Sequence, residues 1–372
     1  MLKIPLLSSF QFSQQKCCMT NTIETDYIII GQGLCGTFLS YYLQKAGKNI
    51  IVIDEPNPYS SSKAASGAIN PVTGRRIVRT WMIEEVMPFA VTIYQQLEKE
   101  LNVSIIQQTN IIDFHPTTQM KFAFAERMQK ESFLKIPDNI PLLQKYFNFY
   151  FGAGEINPSW LVDMQNLLSA WRKKLSDKNL LREEKFEIEN LVVEKDAVTY
   201  KNIHAQKIFF CDGIEGTENP YFKLLPYSRN KGEVIIAKIP GLPRTNIFKQ
   251  SFAIVPWKED LFWVGSTYEW KFADANPTEL FRKKVEEHLK QWLKIPFEII
   301  DHFASIRPAN MERRPFVGLH PVHSSIGLLN GMGTKGCTLG PYFAHQLAEH
   351  LINHTSINPL ADVKRFTKIL SR

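Results

Sequence analysis

The sequence predicts an α/β protein in two parts: a unit of parallel strands and helices, and an antiparallel β-rich part inserted into it. Three observations predict this. Residues 26–55, DYIIIGQGLCGTFLSYYLQKAGKNIIVIDE, read as strand, glycine-rich turn, helix and second strand. Residues 230–270 alternate apolar and polar positions around a short turn, which is the hairpin pattern. A second glycine-rich turn, GMGTKG at 331–336, follows the apolar run IGLLN and opens another helix.

Size and composition agree with that division. A chain of 372 residues exceeds what one simple core usually takes. Apolar content of 44% and charge of 22% match a soluble globular protein, and no apolar run reaches the roughly 18 to 20 residues of a membrane helix. The net charge of +7 is spread along the chain and excludes neither an anionic substrate nor a nucleic acid. Cys17, Cys18, Cys35, Cys211 and Cys337 form no C-x-x-C pair, which points to a reducing, cytoplasmic setting. Histidines at 320, 323, 345 and 350 form no H-E-x-x-H and have no cysteine partners, so no metal is expected. Residues 1–22 carry no signal-peptide core and are expected as a disordered extension.

The first unit has a strand over Tyr27–Ile30, then Gly31, Gly33 and Gly36 as G-x-G-x-x-G. These glycines serve a tight turn, close approach to a pyrophosphate, and close helix-to-strand packing. A helix from Leu34 and Cys35 presents its positive N-terminal end to the phosphates, and Gly47 suits its C-terminal stop. Asp54, followed by Glu55, ends the second strand, where a carboxylate accepts bonds from ribose hydroxyls. An acid there disfavours NADP but does not separate NAD from FAD.

After residue 55 the alternation of strand and helix lapses. SSSKAASGAINPVTGRR (60–76) is small and polar, as a loop lying close to a cofactor would be. A helix over about 81–101 carries Val86, Phe89, Ile93 and Leu97 at helical spacing. KGEVIIAKI, FAIVPW and LFWVGSTYEW read as antiparallel strands, and a helix over about 277–293 carries Leu280, Val285, Leu289 and Leu293.

Taken in order, GQGLCG, AASGAINP, KIFFCDG, KGE, VGSTYE, RPANMERRPFVG and GMGTKGCTLGP resemble the FAD-dependent D-amino-acid oxidase superfamily over about residues 24–370. The similar branches are glycine and sarcosine oxidase-like enzymes and the flavin domain of the bifunctional enzyme of tRNA 5-methylaminomethyl-2-thiouridine synthesis. The resemblance implies a Rossmann-like FAD-binding domain of the glutathione-reductase type, with an antiparallel β-rich substrate domain. It places the FAD-binding domain discontinuously at 23–85, 150–220 and 305–372, and the substrate domain at 86–149 and 221–304.

By that resemblance Gly31, Gly33 and Gly36 hold the pyrophosphate of non-covalent FAD, and Asp54 the adenosine ribose. Ala65, Ser66 and Gly67 approach the pyrophosphate and flavin, and Phe186 meets adenine through its backbone. Cys211, Asp212 and Gly213 lie beneath the cofactor, while Gly331, Met332, Gly333, Thr334, Lys335, Gly336 and Cys337 line the flavin ring. Arg307 is the expected carboxylate clamp; the competing structural reading pairs it with Glu312. Lys335 is expected to place charge beside the flavin, or else to be a solvated loop lysine. Where glycine oxidase has an active-site tyrosine this chain has Ala253, so Tyr268 is the substitute candidate.

The implied activity is oxidation of the C–N bond of an amine or amino acid by hydride transfer to flavin N5, giving an imine that hydrolyses. Oxygen or another carrier would reoxidise the flavin. The alternatives are oxidative removal of a carboxymethyl group from a tRNA wobble uridine, with Arg75, Arg76, Arg313 and Arg314 on phosphates, or a flavin-binding protein without turnover.

Overall fold

A computed structural model describes residues 22–74 and 77–372. The expected extension, apart from Thr22, lies outside the described residues, as do Cys17, Cys18, Arg75 and Arg76.

Ile23–Ile30 is the central strand of the first sheet. It runs parallel to Ile50–Ile53 on one side and Ile203–Phe210 on the other. All of Tyr27–Ile30 and Ile50–Ile53 are buried, because helices and chain cover both faces; that is why these strands read as unbroken apolar runs. The outer edge of Ile203–Phe210 divides: its first half takes Val198–Tyr200 antiparallel, and its second half takes Ile326–Asn330 parallel.

One face of this sheet is covered by the helices Leu34–Lys45, Ile83–Leu101, Met164–Asp177 and Gly336–Asn353. Ile83–Leu101 buries Val86, Ala90, Ile93, Tyr94 and Leu97 in that core. Phe89 sits at its edge against Tyr342 and His345. The boundary expected after residue 85 falls inside this helix.

The second sheet is ordered Glu298–Asn310, Tyr227–Lys238, Leu261–Gly265, Ala253–Pro256, Ile247–Lys249, Ile111–Phe114, Ala153–Ile156 and Leu134–Lys135. The expected strand over 261–270 leaves the ladder after Gly265, and only Glu269 returns to bridge Lys231.

The helix Glu279–Trp292 closes one face of this sheet with Phe281, Val285, Leu289 and Trp292. Val285, Leu289 and Leu293 are buried as expected, and one position is corrected. Leu280 is 79% exposed and Phe281 takes the inward place. Phe281 lies one helical turn before Val285 and so shares its stripe, while Thr278 Oγ1 accepts from Phe281 N at 3.3 Å and caps the helix start.

On the same face Glu233 is fully buried. It accepts from Thr278 N and Oγ1 and lies 3.0 Å from His302 Nε2 and 3.6 Å from Lys231 Nζ. A carboxylate so placed needs several donors to stay buried.

The opposite face carries Ile111, Val234, Ile236, Ile247, Val255 and Trp263 and turns toward the first unit. Trp263 Nε1 donates to Ala64 O at 3.0 Å, tying the two sheets together across the polar loop.

Candidate active site

The glycine-rich turn has no room for side chains. A Cβ on Gly36 would lie 1.8 Å from Gly31 O, and one on Gly31 would lie 2.6 Å from Cys211 O. Gly31 also has φ +94°, a left-handed value that favours glycine. The turn therefore presents bare backbone at the start of the Leu34–Lys45 helix, whose first turn contains no acid. Such an end attracts phosphate through its N–H groups and dipole. Leu34 N donates to Ser62 Oγ at 3.0 Å, which brings the 60–67 loop over the turn.

Asp54 is placed at this turn and is already engaged. Its Oδ1 accepts from Gln32 N at 2.8 Å and its Oδ2 from Arg172 Nη1 at 2.6 Å. Arg172 comes from the Met164–Asp177 helix and also meets Glu183. Sequence reasoning missed it, since nothing in the local pattern marks a helix residue more than a hundred positions away. Glu55, next to Asp54, is exposed.

Ala65, Ser66 and Gly67 lie on the loop that Trp263 and Ser62 anchor. Gly67 has φ +81°, and a Cβ there would meet Val162 O at 1.9 Å. Cys211, Asp212 and Gly213 follow the Ile203–Phe210 strand directly behind Gly31. Burial pushes the Asp212 carboxyl up to about 7, although Asn330 Nδ2 donates to its Oδ1 at 3.0 Å. Phe186 stacks on Tyr200 at 4.8 Å and meets Phe210 edge-on at 5.7 Å, outside any strand.

The second glycine turn docks on the strand that bears Arg307. Gly333 N donates to Pro308 O at 3.2 Å, and Asn310 Nδ2 donates to Gly331 O at 3.2 Å. Gly331 and Gly333 have φ +78° and +56°. Met332 and Cys337 turn into the core, Cys337 Sγ lying 3.7 Å from Met164 Sδ, while Thr334 is exposed. At Gly336 the helix begins, and Leu34 packs against both Gly336 and Gly340. The two helix N-termini thus converge on one place.

Lys335 points its ammonium at Asn70 O, 3.5 Å away. Burial pushes it down to about 8, and the charge of Lys249 adds to that shift. No carboxylate pairs with it among the described residues. A partly buried cation at the start of the Gly336–Asn353 helix fits an anionic cofactor.

Arg307 is held by neutral groups. Nη1 donates to Asn230 Oδ1 at 2.7 Å and to Thr267 O at 3.2 Å; Nη2 donates to Ser266 Oγ at 2.6 Å. The Tyr268 ring lies 5.0 Å from Cζ, and Tyr268 is 61% exposed. The competing structural partner Glu312 pairs with Arg365 instead, at 3.3 Å. Arg307 has no carboxylate partner among the described residues. Its setting by Asn230, Ser266 and Thr267 was not legible in the sequence, because it depends on the register Asn230↔Arg307.

Arg314 lies 4.2 Å over Trp81, and Arg313 is exposed at φ +55°. Arg75 and Arg76 lie outside the described residues. Among the described residues no helix is long and apolar enough to cross a membrane, and no cluster of three His, Cys, Asp or Glu side chains is placed for a metal ion.

Comparison with known proteins follows this geometry. Glycine oxidase of Pseudomonas aeruginosa is 26% identical over 159 residues, 41% of this chain and 43% of that protein, so the match spans less than half of the relative. The structure of glycine oxidase from Geobacillus kaustophilus superimposes with a TM-score of 0.76 at 15% identity, covering 91% of this chain and 98% of the other. Iminodiacetate oxidase from Chelativorans sp. gives 0.74 at 18%, covering 90% and 97%. The pattern of FAD-dependent oxidoreductases termed DAO matches residues 26–350, which takes in both glycine turns, Asp54, Arg307 and Lys335. The chain is a member of this DAO family of FAD-dependent oxidoreductases.

Proposed function

We propose that this oxidoreductase oxidises the C–N bond of an amino acid or N-substituted amino acid whose carboxylate is bound by Arg307. The observation that carries the reading is a partly buried guanidinium set among neutral acceptors, without a carboxylate of its own among the described residues. A planar guanidinium in such a place favours a ligand carboxylate, which it can meet bidentately. That relatives of similar fold include glycine and iminodiacetate oxidases agrees with it.

In this reading the turn at Gly31, Gly33 and Gly36, with Asp54 and the N-terminus of the Gly336–Asn353 helix, holds FAD. FAD supplies the hydride acceptor when bound. The chain supplies orientation: Asn230, Ser266 and Thr267 fix Arg307, which fixes the substrate carboxylate and with it the neighbouring C–H bond. Lys335, in the turn that would line the cofactor, would supply positive charge against the negative charge that flavin gains on reduction. Tyr268 covers the outer side of Arg307 and shields the clamp from water. Proton removal needs no protein base if the amine binds neutral, and the imine product hydrolyses in water.

The test is anaerobic flavin bleaching by glycine, sarcosine, D-alanine, D-proline and L-proline, with ethylamine as the amine lacking a carboxylate. Carboxylate-bearing amines bleach the flavin, and Arg307→Ala raises their half-saturation on the order of ten- to hundred-fold, as loss of a charge-assisted pair should. Half-saturation unchanged in Arg307→Ala, or bleaching by ethylamine alone, would remove Arg307 from substrate binding.

A further inference from the structure

Both glycine turns leave the same end of the first sheet, because Ile23–Ile30, Ile203–Phe210 and Ile326–Asn330 all run parallel. That is the end at which ligands sit in such sheets. The backbone pairing of Ile203–Phe210 with Ile326–Asn330 stops at Phe210↔Leu328. Past that point Cys211 and Asp212 back the first turn, since a Cβ on Gly31 would lie 2.6 Å from Cys211 O and 3.3 Å from Asp212 Cα. On the neighbouring strand Asn330 is the residue before Gly331, where the second turn begins.

The Asn330 side chain takes over where the ladder ends. It is 2% exposed. Nδ2 donates to Gly213 O at 2.8 Å and to Asp212 Oδ1 at 3.0 Å, while Oδ1 accepts from Gly331 N at 2.7 Å. Both donor hydrogens are thus used, and a reversed amide would set its oxygen against two acceptors. Gly331 is gripped from its other side too, as Asn310 Nδ2 donates to its O at 3.2 Å. Gly216 makes room for the amide: a Cβ built there would lie 2.6 Å from Asn330 Nδ2 and 2.8 Å from Asp212 Oδ1.

A dinucleotide that spans both turns needs them at a fixed separation. Backbone pairing does not reach that far, and the Asn330 amide does. Resting on the placement of FAD given above, we infer that Asn330 is a positioning residue: it fixes the second glycine turn against the first and so sets how the flavin ring meets that turn. Lys335 and the N-terminus of the Gly336–Asn353 helix follow the same turn, so their charge on the reduced ring depends on the tie as well.

Asn330→Leu keeps the bulk of the side chain and removes all three bonds. FAD binding to the deflavinated protein weakens about tenfold, as loss of a buried polar tie should. Reduced FAD loses about tenfold more than oxidised FAD, which is a fall of about 30 mV in the midpoint potential of the bound flavin. Gly216→Ala displaces the same amide without altering either turn and moves both readings the same way; it carries the test alone if Asn330→Leu does not fold. A role confined to folding would lower the urea midpoint and leave the potential of bound flavin unchanged, and that result overturns the inference, as does unchanged FAD affinity. Asp54→Ala tests the placement of FAD separately, since Asp54 makes no bond to Asn330 or to the second turn. FAD affinity unchanged in Asp54→Ala removes the placement; affinity weakened there but not in the Asn330 and Gly216 variants removes only this inference.

Discussion

The Arg307 guanidinium occupies the space over Gly232: a Cβ built on that glycine would lie 2.0 Å from Nη2 and 2.3 Å from Cζ. The glycine of the K-G-E segment is therefore a seat for the guanidinium. Gly232→Ala is expected to push Arg307 off Asn230 and Ser266 and raise half-saturation for a carboxylate amine at least about tenfold, at an overpacking cost of about 1–3 kcal/mol. Flavin titration checks the first and urea unfolding the second. An alanine variant with normal half-saturation would show that Arg307 does not need this position.

Asp54 is oriented by Arg172 and Gln32 N together. Arg172→Met leaves the carboxylate with one fixed partner, so FAD binding is expected to weaken about tenfold, in line with the loss of one charge-assisted bond. Fluorescence of released FAD on dilution measures it. Equal retention in both proteins would make Arg172 a structural partner only.

Lys335 bears its charge with no carboxylate partner among the described residues. Replacing it by Met removes that charge, and the midpoint potential of the bound flavin is expected to fall by about 20–50 mV, near 1–2 kcal/mol for two electrons. Spectroelectrochemical titration gives the value. An unchanged potential would place the ammonium away from the ring.

His320 makes stability depend on pH. Burial, then the charge of His323, pushes it down from the usual 6.5 to about 4, and its Nδ1 accepts from Val322 N and His323 N. The unfolded chain thus binds this proton first. The stabilisation is present above about 6.5 and is lost as pH falls toward 4, by up to about 1.4 kcal/mol per pH unit. His320→Asn keeps an acceptor and does not titrate, so its urea midpoint should fall less steeply over that window. Parallel slopes for both proteins would exclude His320 as the cause.

What the sequence made legible follows the range of the interactions. The first strand, turn and helix are set by neighbours within a few residues, and Gly31, Gly33, Gly36 and Asp54 could be placed from spacing alone. Of the stripe expected over 277–293, Val285, Leu289 and Leu293 are buried, and only Leu280 gives way to Phe281, which lies one helical turn before Val285. Arg307 was named through the resemblance carried by an ordered series of motifs, whereas the groups that hold it, Asn230, Ser266 and Thr267, were not. Asn230 comes from pairing between strands, where a one-residue change of register would send it to the other face, and Ser266 and Thr267 come from the chain that leaves the ladder after Gly265.

The bond from Gly333 N to Pro308 O has a further consequence. Pro308 is the residue after Arg307, so in the proposed reading the loop that would flank the cofactor is tied to the chain next to the residue that would grip the carboxylate. The chain acts there as a ruler. If Arg307 binds the carboxylate as proposed, it would set the distance from that carboxylate to the carbon that loses hydride, and an amine moved one methylene further along, as in β-alanine, would present the wrong carbon.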